Sequence, residues 1–317
     1  MSRFGVVEAS LGLCWGTRKV TRGILCCLLA LVGFGACAGG EKDFAFVILA
    51  DPHVAGSPEH EMRLVTCVDW IREHRETEQI ELVFVVGDIG WGPAGLDRAK
   101  AILDGLDAPY FPLVGDNEIQ FGSEQAFDTT FAPHFEFLAH ALDRWKKAPT
   151  PVWNPQVGKS SFLQNFSFEW KGVHFVCLDW CSRIGVPLLG EQAELHDFPG
   201  GTWRWFVEDL RDLSQGPKES VVLISHHPMH AEGIAAFSRS EFRTLCAFMA
   251  PFGEVVYADF AGHYHVYWHE QIEGAGYELY VTEAVSFLLP NLSLVEVSRV
   301  ADGFRYRHRW IDLPVEW

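Results

Sequence analysis

Residues 81–92, ELVFVVGDIGWG, carry an apolar run rich in β-branched side chains that stops at Gly87 and a single carboxylate, Asp88. A run this short and this apolar reads as a strand buried on both faces, the habit of parallel sheets covered by helices. The same pattern recurs along the chain. AFVILADPH (45–53) closes in Asp51 and His53, and PYFPLVGDNE (109–118) closes in Gly115-Asp116-Asn117-Glu118. VVLISHHPMH (221–230) reaches His226 and His227, and VVYADFAGHYH (255–265) reaches Gly262-His263-Tyr264-His265. One such aspartate is most simply a turn cap. Five strand ends that all finish in nitrogen and oxygen donors ask for a common explanation.

Between the first three strands the apolar spacing turns helical. Met62, Val65, Val68 and Ile71 recur over 58–76 behind a proline start, and LDRAKAILDGL (96–106) gives a second helix ending at a glycine-containing turn. Alternation at these lengths builds a right-handed βαβαβ unit whose polar strand ends share one rim, where open α/β sheets bind ligands. Further on, FSFEW (166–170) and VHFVCLDW (173–180) form a hairpin across Lys171-Gly172 and begin a second sheet. TWRWFVEDLRDL (202–213) sets Trp203, Phe206, Val207, Leu210 and Leu213 on one helical face. The tail, 278–311, reads as short strands extending the second sheet. From Ile119 to Ser161 neither period is evident, and this aromatic, proline-containing stretch is expected to be an insert over the rim that lines an entrance with residues 181–201. His134 and His140 inside it read as packing or surface histidines.

Composition adds a large core and a leader. The chain of 317 residues with 48% apolar content supports one globular domain over 39–317. Residues 1–38 stand apart: Arg18, Lys19 and Arg22 precede the apolar run GILCCLLALVGFGA, and small residues follow it. A membrane-spanning helix needs roughly 20 apolar residues, so the expectation is an export signal. Ala36-Cys37-Ala38 fits cleavage and release, whereas Phe34-Gly35-Ala36-Cys37 resembles the lipoprotein box, with membrane anchoring through a lipidated Cys37. Both stay open, and the expected location is periplasm, cell envelope or secreted. Beyond the leader the chain carries 21 basic and 41 acidic residues. That balance repels nucleic-acid backbones and anionic membranes, so no specific nucleic-acid binding is expected; no protein partner is inferred. Cys67, Cys177, Cys181 and Cys246 lack metal-ligand spacing and sit among apolar residues, as buried free thiols do. Asn165-Phe-Ser and Asn291-Leu-Ser match the glycan acceptor pattern, which matters only in a eukaryotic secretory route.

Collected, the strand ends supply Asp51, His53, Asp88, Asp116 or Asn117, His226, His263 and His265. Nitrogen and oxygen donors without cysteine suit two divalent or iron-type ions (zinc, manganese or iron) and not a closed structural zinc site. Two ions about 3.5–4 Å apart need a bridging carboxylate, and Asp88 is the candidate.

Asp51-Pro52-His53, Gly87-Asp88, Gly115-Asp116-Asn117-Glu118, a histidine before Pro228 and Gly262-His263-Tyr264-His265, in this order, resemble the calcineurin-like metallophosphoesterase superfamily, which includes purple acid phosphatases and cyclic-nucleotide phosphodiesterases. The resemblance covers residues 44 to about 300 and implies a four-layer α/β/β/α sandwich of two mixed sheets. It implies one ion at Asp51, His53, Asp88 and His265 and a second at Asp88, Asp116, His226 and His263. Phosphomonoesters or phosphodiesters would then be hydrolysed by attack of a metal-bridging hydroxide. One motif departs from the superfamily. Where Gly-Asn-His-Glu is expected, Asp116 replaces the ligand asparagine and Asn117 replaces the catalytic histidine. Asparagine donates a hydrogen bond but no proton, and general acid catalysis is worth about 10²–10⁴-fold. Three outcomes stay open: His227 or another residue supplies the proton, the leaving group needs none, or the chain binds metal and phosphate ligands in the cell envelope with little turnover. A metallo-β-lactamase-type hydrolase fits less well, because its His-x-His-x-Asp-His signature is absent.

Overall fold

The strand β1 (Phe44–Ala50) is buried along its whole length and β2 (Ile80–Val86) along nearly all of it, as strands covered on both faces require. With β3 (Tyr110–Leu113) they pair in parallel through α1 (Pro58–His74) and α2 (Gly92–Leu103), the βαβαβ unit expected from the spacing. This computed structural model describes residues 42–120, 122–184, 190–213, 220–231 and 235–314. The leader reading at 1–38, with Cys37, lies outside the described residues, as does part of the entrance expected at 181–201.

After β3 come α3 (Asp116–Gln120), α4 (Glu124–Ala141), β4 (Asp143–Lys147) and a small hairpin of β5 (Val152–Asn154) and β6 (Lys159–Ser161). The hairpin of β7 (Phe166–Trp170) and β8 (Val173–Leu178) turns through Lys171 and Gly172, both at positive φ. Then follow β9 (Cys181–Ser182), β10 (Gly190–Ala193), α5 (Thr202–Leu213), β11 (Ser220–Ser225), α6 (Arg239–Met249) and β12 (Val256–Ala261). The last strands are β13 (Trp268–Gln271), β14 (Glu278–Val281), β15 (Asn291–Val300) and β16 (Gly303–Asp312).

Two mixed sheets result, one ordered β16-β15-β1-β2-β3 and the other β13-β14-β12-β11-β8-β7-β4. They meet through aromatic rings. Phe46 of β1 and Phe84 of β2 each lie 5.3 Å from Phe175 of β8, and Phe111 of β3 stacks on Phe168 of β7 at 4.4 Å; such pairs add about 0.5–1.5 kcal/mol each beyond their buried area. Period-two alternation along β8 then separates two cores. Phe175 and Cys177 join the core around the first sheet, while Val176 and Leu178 join Phe206 and Leu210 of α5 and Leu245 and Met249 of α6. Leu64, Leu96 and Phe131 bring α1, α2 and α4 onto the first sheet. Helices, sheet, sheet, helices is the α/β/β/α sandwich that the resemblance implied.

Three local expectations change. Residues 124–141 are helix and not loop, because Phe127, Phe131, Phe135 and Leu138 form an intact buried stripe while Pro133 sits on the exposed face. Those rings fill the core and line no entrance. In the tail only β14 joins the second sheet; β15 pairs with β1, and β16 with β15. An apolar β1 buried on both faces would otherwise be an open edge. Finally, α1 buries Leu64, Cys67, Val68 and Ile71, which complete the i, i+3, i+4, i+7 ladder, and leaves Met62 and Val65 48% and 41% exposed. Cys67, Cys177, Cys181 and Cys246 are free thiols. Among the described residues no helix is long and apolar enough to cross a membrane.

Candidate metal centre

The parallel strands of both sheets end on one rim, and backbone bonds lock their tips together. His53 N–H donates to the Asp88 carbonyl (2.8 Å), and Gly262 N–H donates to the His226 carbonyl (3.1 Å). Two bonds cross between the sheets: His263 N–H donates to the Asp51 carboxylate at 3.0 Å, and His226 Nδ1 donates to the Val86 carbonyl at 2.9 Å. The turns are tight. Asp51, His53, Asp88, His263 and His265 have φ of 50°, 48°, 48°, 70° and 55°, the left-handed region that non-glycine residues rarely occupy. Each such residue costs on the order of 1–3 kcal/mol, and clusters of them mark functional sites. Close approach also demands two glycines. A Cβ at Gly87 would overlap the His226 ring, and one at Gly115 would overlap the backbone nitrogen and Oδ1 of Asp88.

The structure gathers all seven expected donors into two adjoining sets. Ligand-type atoms of Asp51, His53, Asp88 and His265 lie within 4.8 Å of one another, and so do those of Asp116, His226 and His263. Nitrogen and oxygen ligands about 2.0–2.2 Å from one ion lie at most roughly 4.4 Å apart, so each set needs only a small contraction. Asp88 stands between the sets. Its Oδ2 is 3.7 Å from His53 Nε2 and its Oδ1 is 3.5 Å from His226 Nε2.

The electrostatics of the site also fit cations. Asp51, Asp88 and Asp116 are buried and their ion-pair partners are histidines. Burial, together with the neighbouring Asp116, Glu118 and Asp51, pushes the Asp88 carboxyl well above its ordinary range against the pull of His226. Burial also opposes charge on Asp51 and Asp116, yet histidines hold both below the usual carboxylate value: His265, His226 and His53 around Asp51, and His226 and His263 around Asp116. Burial lowers His53 to about 4. His226 is driven well above its ordinary value, its own desolvation outweighed by Asp88, Asp116 and Asp51. Because His226 Nδ1 donates to Val86, the neutral ring presents a bare Nε2 only 3.0 Å from Asp116 Oδ1. Acceptor faces acceptor there, a contact that a proton or a shared cation relieves.

The two candidates for proton transfer are placed differently. The Asn117 amide nitrogen lies 2.7 Å from His53 Nδ1, and its backbone N–H donates to Asp88 Oδ1 at 2.9 Å. His227 is fully buried, with Nε2 3.1 Å from the Glu191 carbonyl and Nδ1 3.4 Å from Cys181 Sγ. Burial, with His263 and His226 beside it, holds its imidazole well below the ordinary value. His134 donates from Nε2 to the Tyr110 carbonyl (2.6 Å) and His140 is exposed, so both lie apart from the two sets, as expected.

Sequence reasoning missed two residues here. Glu118 is fully buried and accepts backbone N–H groups of Gly115 (2.8 Å), Asp88 (3.0 Å), Ile89 (3.0 Å) and Gly90 (3.2 Å). It ties the loop after β2 to the loop after β3. Its signal was the fourth position of the Gly-Asp-Asn-Glu motif, a carboxylate too close to the rim to be a surface charge. Trp91 donates from Nε1 to His53 Nδ1 at 3.2 Å, and its signal was an aromatic residue three positions beyond Asp88.

A family model described as calcineurin-like phosphoesterase matches residues 44–267, well over half of the chain. A search of the curated proteins finds no match. Among solved structures, the chain is similar to a dimetal phosphatase from Danio rerio (17% identity, TM-score 0.58), over 86% of this chain and 99% of that one. It is similar to the anchor protein of the Plasmodium inner membrane complex (9% identity, TM-score 0.50), over 87% and 90% of the two chains. A 5'-nucleotidase from Staphylococcus aureus matches at 12% identity and TM-score 0.50, over 86% of this chain and 55% of that one. At such identities the structures speak for the fold, and the family model for descent: the chain belongs to the calcineurin-like phosphoesterase family.

Proposed function

We propose that this protein is an exported phosphoester hydrolase working with two divalent or iron-type ions, one at Asp51, His53, Asp88 and His265 and the other at Asp88, Asp116, His226 and His263. The observation that carries the reading is the division of the Asp88 carboxylate, one oxygen toward each histidine set. Ions held there supply Lewis acidity toward phosphoryl oxygens and ease ionisation of a water nucleophile near neutral pH.

The chain's own contribution is positioning. Asn117 braces Asp88 through its backbone and His53 through its amide. His227 backs the His263 ring at 4.1 Å. His265, whose side chain is 38% exposed, marks the side open to a phosphoester. Asp116, in place of an asparagine, adds negative charge that tightens the hold on a cation and weakens its Lewis acidity. With neither Asn117 nor the buried His227 offering a proton, the site favours esters whose leaving group departs without one.

Turnover of p-nitrophenyl phosphate and bis-p-nitrophenyl phosphate by metal-loaded protein, with Asp88→Ala as control, tests this. Activity on either that vanishes in the control is expected; inactivity on both and on a wider phosphoester panel contradicts it. The same lack of a proton donor favours a second reading, an envelope protein that binds metal and phosphate ligands with little turnover. Activity created from none by Asn117→His supports that reading, and efficient turnover by the native chain ends it. The location rests on the leader alone, with either release after cleavage or a lipid on Cys37, and the intact mass of the mature protein separates the two.

A further inference from the structure

The surroundings of the two donor sets are unlike. Asp116 is bounded by polar groups: Gln120 donates to its carboxylate and also approaches Glu191. The Asp51–His53–His265 side is ringed by exposed apolar residues instead. Trp91, 45% exposed, is fixed there by its bond to His53. Val266, 49% exposed, directly follows His265. Ser286 N–H donates to the Asp51 carbonyl and the Ser286 carbonyl accepts from Arg63, which pins the start of the segment Phe287-Leu288-Leu289. In that segment Leu288 is 73% exposed and its neighbours nearly half exposed.

A groove begins at the residues that follow His53. It opens at Ala55, Gly56 and Ser57 and runs between α1 and α2 past Met62 and Val65, enclosing about 970 Å³. That is the large end of what holds a small-molecule ligand, roughly 300–1,000 Å³. Exposed apolar surface gathered beside polar donors marks a binding site more often than chance exposure does. The bonds of Trp91 to His53 and of Ser286 to Asp51 fasten the apolar residues to the donor set itself, which argues that the substrate covers them.

Resting on the phosphoesterase reading, we propose that the substrate is an amphiphilic phosphodiester whose alkyl chain stays on the phosphoryl group while a more acidic alcohol leaves, as a site without a proton donor requires. Its phosphate sits over the donor sets and its alkyl portion lies on the collar of Trp91, Val266 and Phe287-Leu288-Leu289, extending toward the α1–α2 groove. A fully buried methylene is worth about a fourfold gain in affinity, and partial burial along an exposed collar gives less.

The experiment is calorimetric binding of ethyl, butyl, octyl and dodecyl phosphate to the metal-loaded full chain, below their micellar concentrations, beside the p-nitrophenyl phosphate assay. The dissociation constant is expected to fall about 10- to 100-fold from butyl to dodecyl. In the Phe287→Ser, Leu288→Asn double variant, which alters only exposed side chains, that gain should disappear while p-nitrophenyl phosphate turnover persists. A flat series in the native protein overturns the inference whether or not p-nitrophenyl phosphate is hydrolysed, and so does a gain that survives the double variant. Failure of the phosphoesterase reading shows separately, as absent turnover.

Discussion

The side-chain amide of Asn117 meets His53 Nδ1 at 2.7 Å, at the sequence position where the superfamily carries its catalytic histidine. A ring that ligates through Nε2 carries its proton on Nδ1, so Asn117 acts as a brace by turning its amide oxygen to accept that proton, which holds Nε2 of His53 toward Asp88 and His265. Groups that orient a ligating histidine typically matter about 10–100-fold for metal affinity. Asn117→Ala should therefore weaken manganese or zinc binding at this set by that factor, as read by titration calorimetry. Unchanged affinity would contradict the bracing role.

Glu118 is expected to behave as a structural residue with functional consequences. In Glu118→Gln one acceptor oxygen becomes a donor facing the backbone N–H groups of Asp88, Ile89, Gly90 and Gly115. Each buried donor left unpaired costs about 1–3 kcal/mol, so a loss of about 2–4 kcal/mol is expected in urea unfolding. A native unfolding midpoint in the variant would contradict it.

Asp259, fully buried on β12, gives the fold a pH dependence of known sign. Burial raises its carboxyl to about 7 from the ordinary 3.8, despite bonds from Met229 N–H (2.9 Å) and Ser225 (3.0 Å). The Ser225 hydroxyl has one proton and also reaches the His227 carbonyl at 2.8 Å, so a protonated Asp259 donating to Ser225 satisfies all three groups. A group with a raised folded value contributes stability fully present below its unfolded value and lost as pH rises through its folded value. Stability should therefore decline between about pH 4 and 7. An asparagine side chain imitates the protonated carboxyl, so Asp259→Asn should gain on the order of 2–4 kcal/mol at pH 8 and almost nothing at pH 4. A variant less stable than the native chain at pH 8 would sink this account.

What the sequence disclosed was the chemistry at the strand tips. Asp51, His53, Asp88, Asp116, His226, His263 and His265 each follow an apolar run too short and too pure to be surface, and a donor in that position has few other uses. It concealed whatever depends on what lies opposite. The stripe of Phe127, Phe131, Phe135 and Leu138 was masked by Pro133, which looks like a helix breaker until one sees it on the exposed face. The tail strands carry no mark of which sheet they join; β15 belongs to the first because β1 needed a neighbour. Nor does the sequence show the surroundings of His227, the candidate proton donor beside His226: both rings are buried, and that of His227 lies against the Glu191 carbonyl and Cys181 Sγ.

The central claim is that two ions share Asp88, and metal stoichiometry tests it most directly. Equilibrium dialysis followed by elemental analysis of the native chain and of Asp88→Ala should give two tightly bound ions per native chain. The variant should hold no more than one, because Asp88 is a member of the Asp51, His53 and His265 set and the carboxylate that stands between the two sets, whereas Asp116, His226 and His263 still converge without it. A native chain that binds none, or an Asp88→Ala variant that keeps both with native affinity, would contradict the account.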